Sequence, residues 1–270
     1  MNLFKFRDQI INKDIFLRAL KPFIKNGDFI YLEIDLMSFG NIFDVNMNKK
    51  DFLEEFYILF RNLVGEEGHI ACPSFSYSWG DDKEEKIFDV ANTPGEVGLF
   101  PEFLRKNKKI LRTKDPMFSV IINGVNRDAF DNIENNSFGN GSFFNKIHKK
   151  NAKLISFGLK SFDPTFVHYC EQYFDENINK ISYRKNKKFI GYLVENSKKE
   201  LVAHYSFMRK RDLNLRFSDK KLRYDLLRTG DLNVIKIGNG KIFISDCQSV
   251  FNTCIKQMKS DCFYLVEKFK

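Results

Sequence analysis

The stretch Asp163-Pro164-Thr165-Phe166-Val167-His168-Tyr169-Cys170-Glu171 gathers the residue types that acid–base chemistry needs. Aspartate is a good N-cap and proline suits a first helical turn, so a helix is predicted to begin at Asp163, just after a strand. Thr165, His168 and Glu171 then stand three residues apart along one side of it. An imidazole titrates near neutrality and can take a proton from a nucleophile. A carboxylate beside it fixes its tautomer, and a hydroxyl can bind a developing oxyanion. By spacing alone, the same three residues also fit an ordinary polar helix face. His-x-x-Glu lacks the second histidine of a zinc-protease helix, so no metal is expected.

A frame is needed to position such a helix. Apolar residues Ile15, Leu17, Leu20, Phe23 and Ile24 predict a helix over Asp14 to Lys25, begun by Asn12 or Asp14. Phe29 to Leu32 reads as a buried strand after the Gly27-Asp28 turn. Phe52, Phe56, Leu59, Phe60 and Leu63 predict a helix from Asp51 to Val64, and a strand from His69 to Cys72 stops at Pro73. Met117 to Asn123 and Leu154 to Phe157 are further strands, each closed by glycine. Strands alternating with helices predict an α/β fold, layered α/β/α around a central sheet. Beyond residue 185 the pattern shifts to antiparallel strands: Phe189–Val194, then Val234–Ile237 and Ile242–Ile244 about the Gly238-Asn239-Gly240 turn. A boundary is placed near residue 180. Residues 1–180 form the catalytic portion, and residues 181–270 a smaller lobe packed on it as one compact unit.

Composition limits the classes of function. The 270 residues are 43% hydrophobic and 15% aromatic, with 30 Phe and one Trp, which excludes a disordered chain. No apolar run approaches the ~20 residues that cross a bilayer, and the charged N-terminus does not read as a signal peptide. Five cysteines without a Cys-x-x-Cys pair argue against a disulfide framework, so a cytoplasmic protein is expected. Cys72 and Cys170 read as buried small hydrophobes. His69 and His148 read as structural or solvated, and His204 finds no partner. Tyr77 and Trp79, beside Asp81-Asp82, suit either a stacking floor for a sugar or ordinary packing. The net charge of +9 is confined to the last third. Residues 181–270 carry 20 Lys and Arg against 9 Asp and Glu, whereas residues 1–180 carry 24 against 26. Such a segment either meets phosphates or forms a solvated lysine-rich face. Nucleic-acid binding lacks a recognition motif of its own.

Read outward from His168, the chain resembles the aminoglycoside 3-N-acetyltransferase-like (antibiotic N-acetyltransferase) family. The family's T-x-x-H-x-x-E signature is matched by Thr165, His168 and Glu171, after Ile155-Ser156-Phe157-Gly158. Its V-H-S-S-L-S-S-F-G loop is similar to Leu32 through Gly40, and its G-T-L-x-x-P-T-F-S/T to Gly68 through Ser76. Phe88-Asp89, Thr93-Pro94-Gly95, Gly98 and Glu102-Phe103 resemble a third motif. Arg112-Thr113-Lys114-Asp115-Pro116-Met117-Phe118-Ser119 matches R-S-x-H-P-x-x-S, and Phe138 through Ser142 matches F-G-x-G-S. The matched segments cover about residues 20–180. Three positions depart: Glu33 stands where the family often has histidine, Asp35 where it often has serine, and Asp115 where it often has histidine.

The resemblance implies transfer of an acetyl group from acetyl-CoA to an amine, with no covalent enzyme intermediate. His168 would be the general base, Glu171 its orienting carboxylate, and Thr165 or loop amides the oxyanion donors. Ser38-Phe39-Gly40 would lie against the pantetheine arm, and Pro73-Ser74-Phe75, Arg112-Thr113 and Ser119 would line the cofactor channel. Glu33, Asp35, Asp115 and Tyr77 fall on the acceptor side. The altered carboxylates suggest an amino sugar of biosynthesis, for instance nucleotide-linked for a surface glycan, whose diphosphate the basic C-terminal third would meet. The alternatives are an aminoglycoside-modifying resistance enzyme and a non-catalytic nucleic-acid-binding protein.

Overall fold

The structure is a computed structural model that describes residues 1–44 and 46–268. Its central strand, Phe29–Ile34, is apolar on both faces. Phe29 and Tyr31 enter one core, while Ile30 and Leu32 enter the other. Burial on both sides is the reason it reads as a continuous apolar run. It pairs in parallel with Lys153–Phe157 on one side and His69–Pro73 on the other. Antiparallel strands extend both edges: Val120–Asn123 and Leu111–Arg112 beyond His69–Pro73, and Gly240–Asp246 and Asn233–Ile237 beyond Lys153–Phe157. The result is a mixed seven-stranded sheet.

Helices cover both faces, as the α/β/α expectation requires. Lys13–Leu20, Lys49–Val64 and Leu99–Asn107 pack on one side. The second of these is capped by Asn48, whose side chain accepts from Asp51 N at 2.9 Å, and it ends at Gly65. Phe143–Lys149, Val167–Asn177, Lys220–Thr229 and Cys247–Met258 pack on the other. Two bounds differ from expectation. The first helix stops at Leu20, because Phe23 N turns back to Leu20 O and Asp28 Oδ2 accepts from Lys25 N at 2.7 Å. The strand expected from Met117 begins only at Val120, because Asp115 Oδ1 accepts from the Met117 and Phe118 amides and folds them into a turn.

Three smaller sheets stand off the main one among the described residues, and one of them bears on the site. Arg184–Glu195 and Lys198–Arg209 form a long hairpin around Asn196-Ser197, both left-handed with φ of 48° and 66°. The hairpin pairs with Ile87–Asp89 and closes a small core of Trp79, Phe88, Met117 and Phe189. At Gly191 a Cβ would lie 2.6 Å from both Lys86 O and the Trp79 ring, so only glycine fits there. Trp79 is 1% exposed; it is packing and not a sugar floor. The rest of the C-terminal third rejoins the main body. Its two strands complete the central sheet, and Val250 and Cys254 are buried in the same core as Cys170 and Phe174. Residues on both sides of the boundary expected at residue 180 therefore share one core, which Phe207 of the hairpin also enters.

Candidate active site

The parallel strands Phe29–Ile34 and Lys153–Phe157 end together, and the chain after the second leads into helix Val167–Asn177. This helix starts later than the sequence suggests. Residues 164–168 first make i→i+3 bonds, Val167 N to Pro164 O and His168 N to Thr165 O. Asp163 does not cap it. A neighbouring strand supplies the acceptor instead: Glu33 Oε1 accepts from Thr165 N at 2.9 Å and from Thr165 Oγ1 at 2.8 Å. The Thr165 hydroxyl is thus committed to Glu33 and is no ready oxyanion donor. Burial raises the Glu33 carboxyl to about 7, and the two Thr165 donors only partly oppose it.

His168 and Glu171 are brought together. Nδ1 of His168 lies 2.8 Å from Oε2 of Glu171, one helical turn on. The Glu171 side chain is fully buried, whereas His168 keeps about a fifth of its side-chain surface, 21%. Phe138 and Phe217 meet the imidazole edge-on and fix its plane. Two further residues complete the network, and no spacing rule announces either. Tyr183 donates to Glu171 Oε1 at 2.9 Å, and Arg184 Nε lies 2.7 Å from Glu171 Oε2. Arg184 Nη1 also donates to Phe207 O at 2.8 Å, which ties it to the opposite hairpin strand. Burial would raise the Glu171 carboxyl, but Arg184, His168 and Tyr183 outweigh it and hold it down at about 2. Burial and then the Arg184 charge lower the His168 pKa below the ordinary imidazole value, against the pull of Glu171.

The remaining expected residues have other surroundings. Phe39 is fully buried between Phe16 and Phe157, with ring centroids 5.0 and 4.7 Å away. Gly40, at φ 154°, is required because a Cβ would stand 2.7 Å from Lys5 O. Ser38 Oγ donates to Asp35 O, and Asp35 accepts from Met37 N, so both shape the turn. Asp35 itself is exposed. Ser74 and Phe75 are buried beyond strand His69–Pro73. Arg112 is 3% exposed, lies over the Phe88 ring, and donates to Ser119 Oγ, Ser74 O and Thr93 O. Thr113 Oγ1 accepts from Val120 N. Arg112, Thr113 and Ser119 are therefore an internal brace and line neither cavity described below. Asp115 is likewise buried; His204 Nε2 lies 3.2 Å from it and 3.0 Å from Ser137 Oγ. Asp115 anchors the hairpin, and His204, unassigned from sequence, is its partner. His69 Nε2 bonds Val125 O and His148 Nδ1 bonds Tyr169 OH, both structural contacts.

Two cavities flank this region. A cleft of about 860 Å³ opens between the Tyr77–Lys83 loop and the base of the hairpin. Arg209 lines it directly opposite Arg184 in the hairpin register, and its charge acts on His168. Tyr77, held left-handed at φ 46°, lines the same cleft and senses the Glu33 charge. A second cavity of about 470 Å³ is mostly apolar. It lies where Ile34, Leu36 and Met37 meet Phe52 and Leu99. Among the described residues no His, Cys, Asp and Glu group could hold a metal ion, and no helix is long and apolar enough to cross a membrane.

An imidazole held by a buried carboxylate thus stands on the helix that follows the parallel strand Lys153–Phe157. The aminoglycoside 3-N-acetyltransferase family profile matches residues 38–259, and the chain belongs to that family; it is an N-acetyltransferase. Solved structures share its fold at low identity. An aminoglycoside acetyltransferase, AAC-IIIb, in binary complex with CoASH is 15% identical, with TM-score 0.74 over 93% of this chain and 97% of that one. AAC-VIa bound to sisomicin is 16% identical, with TM-score 0.74 over 93% and 98%. The YokD protein of Bacillus subtilis is 16% identical, with TM-score 0.73 over 93% and 94%. No curated protein sequence matches the chain.

Proposed function

We propose that the protein transfers the acetyl group of acetyl-CoA to the amine of an amino sugar by direct attack, with His168 as general base. The observation that carries this is the Glu171–His168–Arg184 network. Nδ1 of His168 is close to both Glu171 Oε2 and Arg184 Nη2, and a guanidinium can only donate. A charged carboxylate at 2.8 Å is the stronger partner for one proton, so Nδ1–H is directed to Glu171. Nε2 then keeps its lone pair, and it has no hydrogen-bond partner among the described residues. An amine arrives largely as ammonium and must lose a proton to become nucleophilic; Nε2 would take it.

The donor is acetyl-CoA, as family membership and the coenzyme A complex of AAC-IIIb support. Bound, it supplies the activated acyl carbon. The apolar cavity beside Asp35 and Met37, with Lys49 on its wall, fits an uncharged pantetheine arm. Glu33, half-buried and titrating near 7, holds or relays the amine proton on the acceptor side. A polycationic aminoglycoside is the second reading for the acceptor, favoured by the sisomicin complex of AAC-VIa. Thiol release from acetyl-CoA with a panel of amines tests the reaction. Amine-dependent release is expected, and His168→Asn should lower turnover by ~10²–10⁴ while coenzyme A still raises the melting temperature. Near-normal turnover in that variant would remove His168 from the chemistry.

A further inference from the structure

The wall of the larger cleft has a charge pattern that the transfer reaction does not require. Seven cations and four carboxylates line it. Two of the carboxylates are matched: Lys187 donates to Asp81, and Lys83 lies 3.2 Å from Glu96. Lys185, Lys188, Arg209, Lys210 and Arg211 have no carboxylate within ion-pair distance among the described residues. Only Asp82 and Asp212 remain to oppose them. Cations converging on one concave surface raise the local concentration of anions. Arginine and lysine are also the side chains that grip phosphate oxygens, the former with two parallel donors.

The cleft is polarised along its length. Its hairpin side carries the unmatched cations, and its loop side carries Tyr77 with Asp81, Asp82 and Glu96. A ligand bearing an amine at one end and an anion at the other would match both ends. The apolar cavity on the opposite face of the sheet has only Asp35 and Lys49 as charged lining residues. It suits the uncharged arm of the donor and leaves the cationic cleft to the acceptor.

We infer that the cleft at the hairpin base binds a phosphate or diphosphate of the acceptor, so that the amine acylated belongs to a phosphorylated amino sugar and not to a polycation. This rests on the acetyltransferase reading, and the acidic groups at the Tyr77 end position the amine while the hairpin lysines position the phosphate. An aminoglycoside, carrying several positive charges and no anion, is repelled by the same wall.

Isothermal titration of pyrophosphate into the intact protein tests the anion site without turnover. Binding should weaken at least tenfold in a Lys185→Gln, Lys188→Gln, Lys210→Gln variant, and should fall as ionic strength rises. In steady state, glucosamine 1-phosphate should have a KM at least tenfold below that of glucosamine, and the variant should raise it at least tenfold without moving the KM for acetyl-CoA. Equal pyrophosphate binding by wild type and variant would overturn the inference. So would displacement of pyrophosphate by coenzyme A, which would assign the cleft to the donor, or a preference for a polycationic aminoglycoside over glucosamine 1-phosphate. If no amine releases thiol from acetyl-CoA, the proposed reaction fails, yet the pyrophosphate titration still decides the cleft.

Discussion

Glu171 carries two duties at once, because its carboxylate both fixes the His168 ring and neutralises the buried Arg184 guanidinium. Removing it should therefore cost more than orientation. Glu171→Gln leaves Arg184 buried without its counter-charge, a loss of about 3–5 kcal/mol, and it frees Nδ1 to accept from Arg184, the wrong tautomer for a base at Nε2. The folded carboxyl titrates at about 2, below the ordinary value near 4.3 of an unfolded chain. A depressed pKa stabilises the fold fully above that ordinary value and loses this stabilisation as pH falls towards 2. The stake is about 3 kcal/mol. Urea midpoints measured between pH 7 and pH 3 should drop steeply below pH 4.5 in the wild type and less steeply in Glu171→Gln. Activity has its own pH dependence. With the His168 pKa lowered, the acid limb of the rate profile should fall below pH 6.5, and an acid limb above that value would contradict a base shielded by burial and Arg184. The Thr165, His168 and Glu171 spacing made the pair readable from sequence. Arg184 was not readable, since it is one cation in a run of them and reaches Glu171 only through the hairpin.

The hairpin is the element that sequence reading found least completely. Phe189–Val194 showed an apolar run, but its partner Lys198–Arg209 begins Lys-Lys-Glu and is largely exposed on its outer half, so no alternation marked it. What places this hairpin is a set of contacts distant in sequence: Gly191 against Trp79, Asp115 with His204, and Lys187 with Asp81. Arg184 sits at its base, so the contacts of Arg184 with Glu171 and His168 depend on them. Gly191→Val should push the hairpin away from Trp79 at a cost of about 1–3 kcal/mol. Turnover should fall with stability although residue 191 lies seven positions from Arg184. Thermal unfolding together with kcat checks this, and loss of stability with full turnover would show that the hairpin does not position Arg184. Helix Val167–Asn177 was legible in type but not in its start, because the chain that leads into it is held at Thr165 by Glu33, 132 residues away in sequence.

At the scale of the whole molecule, alternation of strands and helices announced the α/β/α layers, and the change of pattern after residue 180 suggested a smaller lobe packed on them as one compact unit. Strand pairing and a shared core join the two portions. Strand Gly240–Asp246 completes the hydrogen-bonding edge of Lys153–Phe157, with Ile244 opposite Ile155 and Ile242 opposite Phe157. Helix Cys247–Met258 then covers helix Val167–Asn177, burying Val250, Cys254 and Met258 in one core with Cys170 and Phe174. A chain ended at residue 180 would expose that sheet edge and the inner face of helix Val167–Asn177, and it would lose Tyr183 and Arg184 from Glu171. An unpaired edge beside exposed apolar surface favours aggregation over folding. The full chain should accordingly unfold in one calorimetric transition, whereas residues 1–180 alone should show no cooperative transition and should associate. A separate, reversible transition from the truncated chain would establish an independent catalytic domain and return the boundary to residue 180.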